Sequence, residues 1–265
     1  MAEDSSYVIE TGAAARDRLE LIARLFWPTT ESFLALHGAL SAERFLDVGC
    51  GIGDVAAHVG NAVGIDVNAA VVDAARARSA SMGSSATFQV AGLADLAVDD
   101  ELREFDAVYA RCVLSHQSDP RSGLRAMVAA TRPGGTILVE DVEVAAIWSS
   151  PRCDALTRHV ALYVAAAHGL GARPDVGSEL AGMLREVGAN DVEVDVVQPL
   201  LRTPEDIGAH ARTMEAIAGP VIAQGLATEA EVAQLVIDLD TFASTPGAVA
   251  TLPRIIQVRG RAPDR

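Results

Sequence analysis

The sequence contains no lysine; all 21 of its basic residues are arginine. That removes the amine needed for a Schiff base and the lysine of a phosphate-binding P-loop, which excludes pyridoxal-phosphate chemistry and Walker-type nucleotide hydrolysis. Cysteine is scarce: Cys50, Cys112 and Cys153 are odd in number and widely spaced, with no C-x-x-C pair and no His-x-x-x-His to complete a zinc site. Reduced, buried thiols are the expectation, and neither a disulfide framework nor a zinc site. Carboxylates do not cluster as a catalytic metal would need, so no metal is expected. There is no run of about 18 apolar residues, and the opening MAEDSSY is acidic and polar where a signal peptide would be basic and then apolar. These absences predict a cytoplasmic protein without membrane contact. Positive charge is short as well: 21 basic against 36 acidic residues leave a net charge of −15. The average field repels phosphate backbones, so nucleic acid is not expected as a partner.

What is present is a chain of 265 residues, half of them hydrophobic, long enough for one well-cored α/β domain with additions. Apolar positions at helical spacing around Leu19, Ile22, Ala23 and Phe26 predict a helix over 11–26 that Pro28 stops, and a second short helix follows over 30–40. Short apolar strands then alternate with helices: strands at 45–49, 62–66, 86–91, 105–110 and 135–141, helices near 53–60, 69–82 and 120–131. This alternation predicts a parallel sheet with helices on both faces. Beyond residue 141 come an Ala-rich helix over 152–168, a helix over 178–187 capped by Ser178, and a strand at 191–198. Thr203 with Pro204 announces another helix, Thr228 with Glu231 forms a capping-box signal, and a last strand covers 255–260. The predicted fold class is α/β: a Rossmann-like, doubly wound, seven-stranded sheet with helical insertions forming a lid. The expected organisation is an N-terminal helical segment (1–44), a nucleoside-binding core (45–141), and lid helices plus the last two strands (142–265).

The most informative stretch is Phe45-Leu46-Asp47-Val48-Gly49-Cys50-Gly51-Ile52-Gly53-Asp54. An apolar strand ends in an acid and is followed by glycines at alternate positions, which lets a ligand approach the backbone closely. A dinucleotide fingerprint places its third glycine one residue later. Asp47 and Asp54 flank the place where a pyrophosphate would lie, a field that favours an ammonium or sulfonium and no phosphate. Asp66 ends the second strand, where a carboxylate can accept both hydroxyls of a ribose.

Together, FLDVGCGIGD, VGID, FDAVYARCVLSH and LRAMVAATRPGGTILVED resemble the successive motifs of the class I S-adenosylmethionine (SAM) dependent methyltransferases, over about residues 45–141. The similarity is greatest to small-molecule enzymes of the ubiquinone, menaquinone and natural-product type. The resemblance implies S-adenosyl-L-methionine as cofactor and methyl transfer to O, N or C of a small-molecule acceptor. It implies that Asp47, Gly49, Gly51 and Gly53 hold the methionine part and Asp66 the ribose. Val67, Gly92, Leu93, Ala94 and Asp95 would surround the adenine, and the backbone of Ala110 and Arg111 would meet the ammonium. Tyr7 and Arg18, in the leader segment, would close over the cofactor. Amino-methyltransferases of nucleic acids and proteins carry an Asn/Asp-Pro-Pro-aromatic run where this chain has Tyr109-Ala110-Arg111-Cys112, which favours a small acceptor.

Methyl transfer is an in-line displacement that needs positioning and, for some acceptors, a base. The catalytic candidates at the strand ends are His116 and Asp141, with Glu140 and Glu143 beside them; His159, Tyr163 and His168 lie on the predicted lid helix. The segments 142–180 and 200–245, with Trp148, Met183, Met214 and Phe242, are expected to build an apolar acceptor pocket. The same stripes would equally serve a homodimer. Two other readings share the loop: a SAM-binding protein of this fold catalysing a non-methylating reaction, and a nicotinamide-dependent oxidoreductase.

Overall fold

The computed structural model describes residues 13–264; Tyr7 lies outside them. Helix α1 (Ala13–Leu36) runs unbroken through Pro28, so the expectation of two helices divided at this proline is corrected. Proline removes one helical hydrogen bond at a cost of about 3 kcal/mol, and tertiary anchoring offsets it. Thr29 Oγ1 donates to the Phe26 carbonyl at 2.9 Å and Ser32 Oγ to the Pro28 carbonyl at 2.8 Å. Phe33 and Leu34 are buried, and Thr30 is tied into the sheet by Glu140 at 2.7 Å.

There follow β1 (Phe45–Val48), α2 (Asp54–Val59), β2 (Ala62–Asp66), α3 (Ala69–Met82), β3 (Thr87–Val90) and β4 (Phe105–Arg111). Next come α4 (Pro120–Ala130), β5 (Thr131–Glu143), β6 (Ser149–Ser150), α5 (Asp154–Gly169), α6 (Leu180–Glu186), β7 (Asn190–Val197) and β8 (Leu200–Leu201). Helices α7 (Pro204–Ile207), α8 (Ala209–Ala216), α9 (Ala218–Ala223) and α10 (Glu229–Ala243) lead to β9 (Val249–Thr251) and β10 (Arg254–Arg261). Side-chain caps fix several helix starts: Asn68 on α3, Asp119 with Pro120 on α4, Thr203 on α7, and the Thr228–Glu231 capping box on α10. Ser178 caps nothing. It sits inside a 3-10 turn (Gly177–Glu179) that feeds α6 directly, and the capping position there makes no side-chain bond.

Seven strands form one sheet in the order β3-β2-β1-β4-β5-β10-β7. The pairs β3/β2, β2/β1, β1/β4 and β4/β5 are parallel, while β10 slots between β5 and β7 antiparallel to both. The strand order reverses at β1/β4, the place where open α/β sheets bind ligands at their carboxyl ends. Strand alternation sends Leu46, Val48, Val108, Ile137 and Val258 to one face, against Leu124 and Met127 of α4 and Leu180 and Met183 of α6. The opposite face packs Phe45, Ala107, Tyr109 and Leu138 under α1, α2 and α3.

A third apolar cluster joins α5, α8, α9 and α10 above the sheet ends, through Leu156, Leu162, Met214, Val221, Leu235 and Phe242. A three-stranded sheet, β6-β9-β8, ties this helical layer to the main body. Its strands of two or three residues are too short to show a period in sequence. Among the described residues no helix is long and apolar enough to cross a membrane.

Candidate functional site

The loop after β1 is shaped by glycines in left-handed conformations, which other residues adopt only with strain. At Gly49 (φ +66°) a Cβ would lie 2.4 Å from Val113 Cγ2, so the loop presses on the segment after β4. At Gly51 (φ +53°) a Cβ would meet nothing within 4 Å; the backbone there faces open space. Gly49→Ala is therefore expected to cost about 2–4 kcal/mol through strain and overpacking, and Gly51→Ala only about 1 kcal/mol. Urea unfolding of the two variants checks the order.

Asp66 closes the loop from β2. Its Oδ2 accepts from Gly51 N at 3.1 Å and its Oδ1 from Asn68 N at 2.9 Å. Burial raises its pKa, against the pull of these backbone donors. Asp47 is buried on β1 and accepts from Ala56 N at 3.2 Å. Burial, with Asp54 and Asp66 adding repulsion against the pull of Arg111, pushes its carboxyl up to about 7. Asp54, the first residue of α2, is also buried. Its Oδ1 accepts from Arg78 at 3.0 Å, while its buried Oδ2 accepts no hydrogen bond among the described residues and is faced by Arg111 Nη2 only at 3.8 Å. Asp95 Oδ2 accepts from Gly92 N at 2.7 Å and holds the loop after β3.

These groups border one cavity of about 490 Å³, within the range of small-molecule sites. Of the residues expected from sequence, Asp47, Gly49, Gly51, Asp66, Val67, Gly92, Leu93, Ala94, Asp95, Arg111 and His116 line it. Gly53, Ala110 and Asp141 are not among its lining residues. Gly53 turns the chain into α2, with its α-carbon face against Phe88 and Ala75, and Ala110 is buried within β4. Asp141 is fully buried under the turn after β4, its Oδ2 accepting from Ser115 N at 3.0 Å. Asp141 therefore sits beneath the turn that carries His116 and does not face the cavity. His116 is buried in the cavity wall, and burial together with the charge of Arg18 lowers its pKa to about 4. It is neutral at physiological pH.

Glu140 also turns away from the cavity. It accepts from Tyr109 Oη, Thr30 Oγ1 (2.7 Å) and Gln257 Nε2 (2.7 Å) on the face beneath α1. Arg111 Nη1 extends this network by donating to Thr30 Oγ1 at 3.1 Å. Glu143 is paired with Arg254 at 3.0 Å.

The far end of the cavity is built by Phe26 of α1, Val144 and Ile147 after β5, His159 and Tyr163 of α5, and His210 and Thr213 of α8. The segments expected to form an apolar pocket do contribute its wall, but through other residues than Trp148, Met183, Met214 and Phe242. Met183, Met214 and Phe242 are spent in core packing, Trp148 is half exposed, and His168 is exposed. Sequence reasoning missed His210. The local sequence carries no sign of it, because α5, α8 and β9 meet only in the folded chain. Cys50 and Cys112 are free thiols on the cavity wall, and burial raises both of their pKa values.

Residues 46–137 match the family model described as a methyltransferase domain. The chain is 34% identical over 105 residues to the ubiquinone biosynthesis O-methyltransferase of Alkalilimnicola ehrlichii, a match covering 38% of this chain and 42% of that protein. It is 30% identical over 171 residues to O-methyltransferase resE of Aspergillus sclerotiorum, covering 61% of this chain and 60% of that protein. The chain thus spans about half the length of the curated relatives it matches. Among solved structures it is similar to the YcgJ protein of Bacillus subtilis, with a TM-score of 0.55, 18% identity, and coverage of 84% of this chain and 93% of that one. It is similar also to phosphoethanolamine N-methyltransferase 2 of Haemonchus contortus, solved with phosphomonomethylethanolamine and S-adenosylhomocysteine, with a TM-score of 0.52, 16% identity, and coverage of 89% and 53%. The fold is that of these two proteins. Over residues 46–137 the chain is thus similar to a methyltransferase domain, and the curated relatives named here are O-methyltransferases.

Proposed function

We propose that the protein transfers a methyl group from SAM to a small organic acceptor. The observation that carries this reading is the set of carboxylates around the glycine loop: Asp47, Asp54 and Asp66 border the same cavity as the open backbone at Gly51, and the buried Asp54 Oδ2 accepts no hydrogen bond among the described residues. The pyrophosphate of a dinucleotide would sit at the start of the helix after β1, where Asp54 instead sets a negative charge. A cationic nucleoside without phosphate suits that field.

In this reading Asp66 accepts the ribose hydroxyls and the exposed Val67 lies along the adenine. Asp95 keeps one oxygen on Gly92 N and offers the other to the adenine amino group. Asp47 and Asp54 face the methionine ammonium, and Arg18, buried at the same cavity, faces the methionine carboxylate. When bound, SAM supplies a methyl group already activated on a sulfonium. The chain's own part is to hold the acceptor in line and exclude water, which the mainly apolar helical layer above the strand ends does. His116 orients as a neutral group, with Asp141 fixing its turn through Ser115. The net charge of −15 favours a small acceptor over a nucleic acid.

Asp66→Ala is expected to weaken SAM binding by roughly 1–3 kcal/mol through lost charged hydrogen bonds. Titration calorimetry reads this directly, and an unchanged affinity would place the ribose elsewhere.

A further inference from the structure

Two buried histidines, His159 on α5 and His210 on α8, stand edge to face at 5.7 Å between ring centroids, and both line the far end of the cavity. Their tautomers follow from their partners. His210 Nε2 lies 3.1 Å from the Thr251 carbonyl oxygen; a carbonyl only accepts, so Nε2 carries the proton and Nδ1 the lone pair. His159 Nδ1 lies 3.5 Å from the Met214 thioether; sulfur accepts there, which leaves the lone pair on His159 Nε2. Burial lowers both pKa values, to about 3 for His159 and about 4 for His210, so both rings are neutral.

This end of the cavity therefore offers proton acceptors among apolar and aromatic walls, and none of its described lining residues is a carboxylate. An ammonium acceptor would lack a counter-charge there, and a carboxylate would face lone pairs. A neutral molecule with an O–H to donate fits both constraints. His116, the other imidazole on the wall, would have to take its proton beside Arg18, whose charge opposes protonation. At His210 burial alone opposes it, and the Thr251 carbonyl favours it. That carbonyl also holds the ring in one orientation, as a base requires.

Resting on the methyl-transfer reading above, we infer that His210 is the general base and that the acceptor is an uncharged, mainly apolar molecule bearing a phenolic or enolic hydroxyl. The acceptor oxygen bonds to the methyl carbon as the carbon–sulfur bond breaks and its electron pair returns to sulfur. The hydroxyl proton passes to His210 Nδ1, giving an imidazolium that loses it to solvent when the products leave. A weak base suffices, because the O–H becomes strongly acidic as the oxygen acquires its new bond, and a hydroxyl that is already acidic matches it best.

The test titrates protein loaded with S-adenosylhomocysteine with 1-naphthol, 1-methoxynaphthalene, 1-naphthylmethylamine (protonated at neutral pH) and 1-naphthoate, and measures 1-naphthol methylation with SAM. The naphthol is expected to bind at least about tenfold more tightly than the other three. His210→Asn keeps an oxygen acceptor near the Nδ1 position, although its shorter side chain gives up the Nε2 contact with Thr251. It should bind naphthol within about threefold of wild type but lose about 100-fold or more in turnover. His210→Phe should lose both, and all forms should bind S-adenosylhomocysteine alike. Equal binding of naphthol and its methyl ether, tighter binding of the amine or the carboxylate, no methylation of naphthol, or full turnover by His210→Asn each overturns the inference while the methyl-transfer reading stands. Failure of wild type to bind S-adenosylhomocysteine overturns both.

Discussion

Replacing Asp47 with asparagine is expected to make the protein more stable at pH 8 and a weaker binder of SAM. In the folded protein burial raises the Asp47 carboxyl from 3.8 to about 7, so folding favours its acid form. The stability this contributes is complete below 3.8 and is lost as pH rises through about 7, a change on the order of 4 kcal/mol. Asparagine is neutral throughout and keeps an oxygen for the Ala56 amide. The stability gap between variant and wild type should therefore widen by about 2–3 kcal/mol from pH 5 to pH 8. Ligand affinity should move the other way: a cation beside Asp47 favours the ionised form, so wild-type affinity for SAM rises with pH through about 7, while the variant binds about 10- to 100-fold more weakly at every pH. Denaturant unfolding at the two pH values, with calorimetry alongside, measures both halves. A gap that does not change with pH would remove the buried charge from the account.

Glu140→Ala is expected to cost about 3–5 kcal/mol, the range for losing one partner of a buried charged network. Its carboxylate is the shared acceptor for Tyr109, Thr30 and Gln257, and all three donors would be left buried. Thr30 is the anchor that holds α1 to the sheet just past Pro28, so the loss should fall on the wall of the cavity that α1 supplies through Phe26, Ile22 and Arg18. Urea unfolding gives the magnitude, and a loss below about 1 kcal/mol would show that α1 is held mainly by Phe33 and Leu34.

The sheet was legible because its signals are local. Apolar runs such as Phe45–Val48 and Ala62–Asp66 are bounded by glycine or capping residues, and Asn68, Asp119, Thr203 and Thr228 cap helices where they stand in the sequence. The residues around the glycine loop were legible for the same reason, since β1 and β2 are neighbours in chain and sheet alike. What local rules missed depends on distant partners. Pro28 is tolerated because Glu140, more than a hundred positions away, fixes Thr30. Asp141 reads as a catalytic candidate at a strand end, and only the fold shows it buried against Ser115 N. His210 becomes a cavity residue only when α8 packs beside α5 and Thr251 arrives from β9.

The most direct measurement of the central claim is calorimetric titration of the purified protein with SAM and, separately, with NAD. A crevice edged by Asp47, Asp54 and Asp66 should take up the sulfonium nucleoside and leave the pyrophosphate-bearing one unbound. Binding of NAD with no uptake of SAM would contradict the account.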